Sequence, residues 1–378
     1  MSRACFLVLL LLPIIMLAVP TVHSEAVQYN IVGTTVDVSV ANVKFKVLGT
    51  GCIVNLTIND ELFLLYSGYA FWPDAMNGLS YYSVEYSVRF LRVDVPKVKA
   101  FTNGIIIRTY AKLRDPQVHV YGTFTVYNTG VIVVNITYVA WNTTTLWWPG
   151  IRNLYPYPQF NGLKCLIITS EGLTLTLPHD INQGSSWGSG WVCIAMPSPA
   201  TPNTYLVTIT LLPSAYATTQ LRSYSDIGNP PWYTQSYIFS HVIREYGESW
   251  SGGPGDSITW LYILYPHTKG EEFTKELLTI GWKLDGTIRS LKTTSVQVKL
   301  PTTRRILENI QKNIKVLIDK LGTGDIATAS SLAESIYDKA KNLWLTESYH
   351  ELVYFVLVPS AIVFGIMILV SIRAIKRT

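Results

Sequence analysis

The stretch Thr35-Val-Asp-Val-Ser-Val-Ala-Asn-Val-Lys-Phe-Lys-Val-Leu48 decides the fold class. Val36, Val38 and Val40, then Val43, Phe45 and Val47, recur at every second residue with polar or charged side chains between them. A side-chain period of two belongs to a β-strand with one buried face. The same alternation returns at Val84, Tyr86, Val88 and Phe90, at Val118 and Val120, at Leu173, Leu175 and Leu177, and at Val207, Ile209 and Leu211. Turn signals such as Gly49-Thr50-Gly51, Asn103-Gly104, Asn161-Gly162 and Gly252-Gly253-Pro254-Gly255 separate these runs. Helical periodicity is not seen before Glu271 to Trp282. Residues 25–300 are therefore expected to form one large antiparallel β-sandwich ectodomain of a dozen or more strands, in a mainly β protein.

From Thr302 the period changes to 3.6. Ile306, Ile310, Ile314, Leu317 and Leu321 line one helix face, Gly322-Thr323-Gly324 ends it, and Asp325 is placed to cap a second helix through Ile326, Ala329, Leu332, Ile336, Ala340 and Leu343. Residues 301–351 thus predict an α-helical hairpin, expected as a stalk and as a candidate surface for self-association or a partner protein.

The two ends predict where the chain resides. Arg3 precedes an apolar run from Cys5 to Val19, followed by a polar stretch ending Val22-His23-Ser24 with small residues where a signal peptidase needs them, so residues 1–24 are expected to be a secretory signal peptide. Leu352 to Ile372 carries no charge and is long enough to cross a bilayer as a helix. Arg373, Lys376 and Arg377 follow in the tail 373–378, which the positive-inside rule assigns to the cytoplasm. The expectation is a single-pass cell-membrane protein whose lipid contact is the transmembrane helix 352–372 and whose N-terminal domain is extracellular.

With 48% hydrophobic and only 15% charged residues, the chain is neither intrinsically disordered nor dedicated to nucleic acid. Its net charge of +5 is mostly topology: Arg3 supplies one unit and the tail three, whereas residues 25–300 hold 19 basic against 18 acidic side chains and residues 301–351 seven of each. A near-neutral ectodomain rich in aromatics suits neutral polar partners such as glycans.

Asn55-Leu-Thr, Asn135-Ile-Thr and Asn142-Thr-Thr are glycosylation sequons on the extracellular side of that topology. In the alternation around Asn55 and Asn135 both asparagines fall on the outward face. Past the leader, Cys52, Cys165 and Cys193 remain, with no Cys-x-x-Cys spacing, and a disulfide is expected between Cys165 and Cys193.

Trp141 to Phe160 holds six aromatics and three prolines and reads as a long ordered loop after a strand. With Tyr69 to Asp74 and Ser185 to Trp191 it yields the candidate ligand-binding residues Trp72, Trp147, Trp148, Tyr155, Tyr157 and Trp187, whose flat rings suit the C–H faces of sugars. The candidate acid/base groups are His179, Asp180, Glu245 and His267, the histidines lying near strand ends. His119 lies out of phase with Val118 and Val120 and is expected at the surface or in a cleft. No metal-ligand spacing, phosphate loop or dinucleotide fingerprint occurs, so no cofactor is expected.

The succession of long strands, the aromatic segment after Asn135 to Trp141, and the strand-turn Trp260-Leu-Tyr-Ile-Leu-Tyr-Pro266-His267-Thr-Lys-Gly270 together resemble the galactose mutarotase-like supersandwich over about residues 27–300. The resemblance implies a sugar-facing cleft. The overall layout also resembles archaeal membrane-anchored cell-surface proteins. The expected function is an anchored carbohydrate-binding or surface-structural protein. The alternatives are an anchored saccharide-processing enzyme of epimerase, lyase or glycosidase type, or an accessory subunit of a membrane complex. Glycoside hydrolysis ordinarily needs two positioned carboxyl groups, and no paired-acid motif is present.

Overall fold

The computed structural model describes residues 26–72, 90–155, 164–169, 174–178, 186–187, 191–212, 218–224, 238–244, 249–294 and 301–343, with isolated positions between 345 and 363. In chain order the strands are β1 (Gln28–Val32), β2 (Thr35–Val40), β3 (Val43–Leu48), β4 (Cys52–Ile58), β5 (Glu61–Trp72), β6 (Phe90–Val93), β7 (Lys97–Phe101), β8 (Gly104–Leu113), β9 (Val118–Tyr127) and β10 (Ile132–Ala140). They continue with β11 (Thr144–Tyr155), β12 (Lys164–Thr169), β13 (Thr174–Pro178), β14 (Ser186–Trp187), β15 (Trp191–Pro197), β16 (Tyr205–Leu212), β17 (Thr218–Tyr224), β18 (Ile238–Arg244), β19 (Ser249–Gly252) and β20 (Ser257–His267). The helices are α1 (Gly270–Thr294), α2 (Pro301–Thr323) and α3 (Ile326–Lys341).

The protein is mainly β, and among the described residues its strands form two ten-stranded antiparallel sheets. Sheet I runs β1-β2-β3-β4-β5-β11-β18-β17-β14, with β19 beside β11; sheet II runs β13-β12-β15-β16-β20-β10-β9-β8-β6, with β7 beside β8. The alternation of Thr35–Leu48 is realised as the pair β2–β3, in which Val36 meets Val47, Val38 meets Phe45 and Val40 meets Val43. Paired residues share a face, so one register places all six side chains in the core, with Ile107, Val120, Phe124 and Ile136 of sheet II. Polar groups also bridge the layers: Ser67 Oγ lies 2.9 Å from the Tyr262 hydroxyl, and Asn153 Nδ2 donates to Thr208 Oγ1 at 3.4 Å.

Sheet II is buried on both faces over part of its width. Val207, Ile209 and Leu211 of β16 turn away from sheet I into a second apolar cluster shared with α1, α2 and α3, whereas Thr208 faces inward towards Asn153. The helices α1 and α3 lie against each other, α2 lies against α3, and α1 covers β12, β15 and β16. The helical hairpin is therefore not a separate stalk as expected: the stripe Ile310, Leu317, Leu321, Ile326, Ala329 and Ile336 is spent on this third layer. Its turn follows the sequence reading, with Gly324 at φ +79° and the Asp325 carboxylate accepting the Thr328 N–H at 3.3 Å.

Two further expectations are corrected. Thr144–Tyr155, expected within a loop, is the central strand β11; a register shift between Trp147 and Gly150 against β5 takes up Pro149. Cys165 and Cys193 are free, buried thiols rather than a disulfide. In the β12–β15 register Ile168 lies beside Cys193, so Cys165, three residues from Ile168, points to the opposite face, into the inter-sheet core. The leader 1–24 and the tail 373–378 lie outside the described residues, as does the span 352–372 apart from isolated positions. Among the described residues no helix is long and apolar enough to cross a membrane.

A Cβ on Gly281 of α1 would lie 2.3 Å from Cys193 Sγ and 2.9 Å from Ile209 Cγ2, so this glycine sets the approach of helix to sheet. Gly281→Ala gains roughly 1 kcal/mol of helix propensity but overpacks the contact by about 1–3 kcal/mol. The variant is expected to be less stable by about 1 kcal/mol in urea unfolding. Alkylation of the unfolded chain without reductant is expected to label Cys52, Cys165 and Cys193 alike.

Candidate ligand-binding face

The helices cover only part of sheet II. Over β8 and β9 the outward positions carry rings and hydroxyls instead: Tyr110 pairs with Tyr121, Lys112 with His119, and Tyr121 in turn with Thr137 of β10. The Tyr110 and Tyr121 centroids are 5.3 Å apart, and His119 stacks on Tyr110 at 5.8 Å with 26° between planes. The Tyr110 hydroxyl shares a hydrogen bond of 2.9 Å with His119 Nδ1. Lys112 Nζ sits 4.4 Å over the Trp141 ring, whose Nε1–H donates to the Leu113 carbonyl at 3.0 Å, and the Arg92 guanidinium is 5.6 Å from the Tyr110 centroid. Tyr121 is 45% exposed. Partial burial, assisted by the Lys112 ammonium, lowers the His119 pKa, and burial beside Tyr121 raises that of Tyr110. Both rings are therefore neutral at pH 7. The result is a platform of ring faces bordered by the hydroxyls of Thr137 and Thr259, which lie 2.9 Å apart.

His119 was marked by its phase in the sequence. Tyr110 and Tyr121 carry the same mark, since each is the out-of-phase member of an apolar alternation, but selecting aromatics by local density passes over them. The residues that density selected fare differently. Tyr155 is fully buried in the inter-sheet core and offers no ligand contact. Trp72 and Trp147 are brought together as directly opposed backbone positions of β5 and β11. The side chains of Trp72, Trp147, Trp148 and Trp187 lie outside the described residues, as do Tyr157, His179, Asp180 and Glu245 altogether.

His267 is a structural clamp rather than an acid or base. It ends β20, buried, stacked on Tyr205 at 5.6 Å. The Thr274 hydroxyl hydrogen goes to the Gly270 carbonyl at 2.8 Å, so His267 Nε2–H donates to Thr274 Oγ1 at 3.2 Å while Nδ1 accepts the Lys269 N–H. That arrangement needs a neutral imidazole, and burial with the nearby Lys269 ammonium pushes its pKa down to about 4.

The sequon residues Asn55, Asn135 and Asn142 are all exposed. Asn55, at φ +53°, lies in an open groove of about 530 Å³ on sheet I, beside Tyr29 and two ion pairs, Lys44–Asp60 at 2.6 Å and Lys46–Asp37 at 3.4 Å. Its charges satisfy one another. Among the described residues no group of three or more His, Cys, Asp or Glu could hold a metal ion.

No family model and no curated protein matches the chain. Among solved structures it is similar to a galactose mutarotase-related enzyme from Lactobacillus acidophilus, at 8% identity, with 62% of this chain and 98% of that chain covered and a TM-score of 0.36. It is also similar to a putative mutarotase from Salmonella typhimurium (8% identity, 68% and 99% covered, TM-score 0.39). A third is a GH36 α-galactosidase from Geobacillus stearothermophilus (8% identity, 65% and 41% covered, TM-score 0.35). The likeness is one of fold.

The folded protein holds His267 neutral down to about pH 4, whereas the unfolded chain protonates it near 6.5. Its contribution is therefore complete above about pH 6.5 and is lost as the pH falls towards 4, a change of about 3 kcal/mol. His267→Asn is expected to lose markedly less stability than the wild type over that window, measured by urea unfolding at each pH.

Proposed function

We propose that this protein is a membrane-anchored, extracellular carbohydrate-binding or surface-structural protein, and that it meets its ligand on the platform of Tyr110, His119 and Tyr121. The observation that supports this reading is the solvent-facing ring cluster on a rigid sheet. Exposed ring faces cost desolvation unless something covers them, and flat rings beside hydroxyl groups match the alternating C–H and O–H faces of a pyranose. Strands hold the rings in fixed register, so little ordering is needed on binding. Secretion, the anchor 352–372, the cytoplasmic tail and glycosylation at Asn55 and Asn142 belong to the same proposal and rest on the sequence; Asn135 stands beside Thr137 and Tyr121 on the platform, which a glycan there would cover, and is left unmodified in this reading. They place the platform outside the cell, where saccharides are the abundant polar partners.

Tyr121→Ala in the full chain is expected to weaken saccharide binding at least tenfold, about 1.4 kcal/mol, with an unchanged unfolding midpoint. A saccharide array followed by titration of the best ligand measures it. Equal binding by the variant would remove the platform from the proposal. Protease protection and peptide mapping of the membrane-expressed chain are expected to find 25–351 outside and glycans at Asn55 and Asn142.

A further inference from the structure

We infer that the ligand of this face is an acidic saccharide, one bearing carboxylate or sulfate groups. The inference rests on the carbohydrate-binding reading and names its ligand class.

The outward positions of β8 form rows across the sheet. Tyr110 and Tyr121 make one row with Thr137. On one side lies the row Lys97, Arg108, Thr123, Asn135; on the other lies Arg92, Lys112, His119. Rows two residues apart along a strand are separated by about 7 Å. The ring row is therefore flanked on both sides by cations at a distance comparable to one sugar unit. Lys99, the next outward residue of β7, extends the same charge. The lysines face outward because Val98 between them is packed on the inter-sheet core.

These cations are available. Lys97, Lys99 and Arg108 are exposed, and no carboxylate among the described residues pairs with them. On the other side Arg92 is engaged, its Nη2 lying 3.0 Å from Asp94 Oδ2, and the Lys112 ammonium rests over the Trp141 ring. Elsewhere several acids are committed to their own cations: Asp37 and Asp60 to lysines in the sheet I groove, Glu271 and Glu272 to Lys275, and Asp285 to Arg289. A domain near neutral in total thus concentrates unpaired positive charge around its exposed rings. Charge alone would suit any polyanion. The ring row, the threonine hydroxyls along it and the extracellular placement select a saccharide among them.

The test titrates the full chain in detergent micelles with polygalacturonate, with its methyl-esterified and hence uncharged form, and with single-stranded poly(dT). The acidic polymer is expected to bind at least tenfold more tightly than the ester, and more weakly as salt rises from about 50 to 300 mM. The double variant Lys97→Gln/Arg108→Gln and the variant Tyr121→Ala are each expected to lose at least tenfold, and Lys44→Gln in the sheet I groove to lose nothing. Equal binding of acid and ester, still dependent on Tyr121, would overturn the acidic assignment and leave the carbohydrate reading standing. No saccharide binding would remove both. Poly(dT) binding as tight as polygalacturonate, insensitive to Tyr121→Ala, would mean a generic polyanion surface and overturn the inference.

Discussion

Sheet II has to be covered twice, and the rest of the architecture answers to that demand. In β20, Trp260, Tyr262 and Leu264 face sheet I, while Leu261, Ile263 and Tyr265 face the helices. Fully burying a large apolar side chain is worth roughly 1.5–3 kcal/mol, so leaving the second face of β16 and β20 in water would forfeit much of a domain's net stability. The three helices exist as a layer for this reason. Their docking is fixed at its margins by specific polar contacts: the Tyr127 hydroxyl donates to Asp319 at 3.3 Å, Thr129 to the Gly322 carbonyl at 2.5 Å, and His267 to Thr274. Where the apolar outer face ends, the helices end, and the ring platform begins.

The sequence revealed strands better than it revealed what they pack against. Alternation states that one face is buried, and Val207, Ile209 and Leu211 alternate as cleanly as Val36, Val38 and Val40, yet the first set meets helices and the second a sheet. A legible signal of double burial was the unbroken apolar run Trp260 to Pro266, since strands covered on both faces lose the polar alternate positions. The loop reading of β11 failed because it rested on the density of prolines and aromatics in Trp141 to Phe160, whereas the strand absorbs Pro149 at an irregularity in its pairing with β5. The Cys165–Cys193 bridge failed for a non-local reason. Whether two residues share a face depends on the β12–β15 register, which the spacing of 28 positions does not contain. His119 was readable because phase is a local property.

Charge repeats the lesson at the level of the whole molecule. The sum over residues 25–300 is close to zero and points to neutral partners. A sum says nothing about which signs share a surface. Arg92, Lys97, Arg108 and Lys112 are separated in sequence by turns and by core residues, and they converge because two short strands, β6 and β7, share one edge of β8.

Lysine on an edge strand has another recognised use, which is to prevent edge-to-edge pairing with a second chain. The opposite sheet supplies the comparison. Its edge strand β1, Gln28–Val32, carries no charge at all and is exposed throughout, with Ile31 and Val32 in water. Among the described residues, then, the edge at β1 is unguarded. The cations of β7 and β8 exceed what edge protection requires, and Arg108 and Lys112 do not lie on an edge strand at all. Both are directed to the same face as Tyr110 and Tyr121, so the arrangement follows the rings rather than the edge, in keeping with the proposed ligand-binding role.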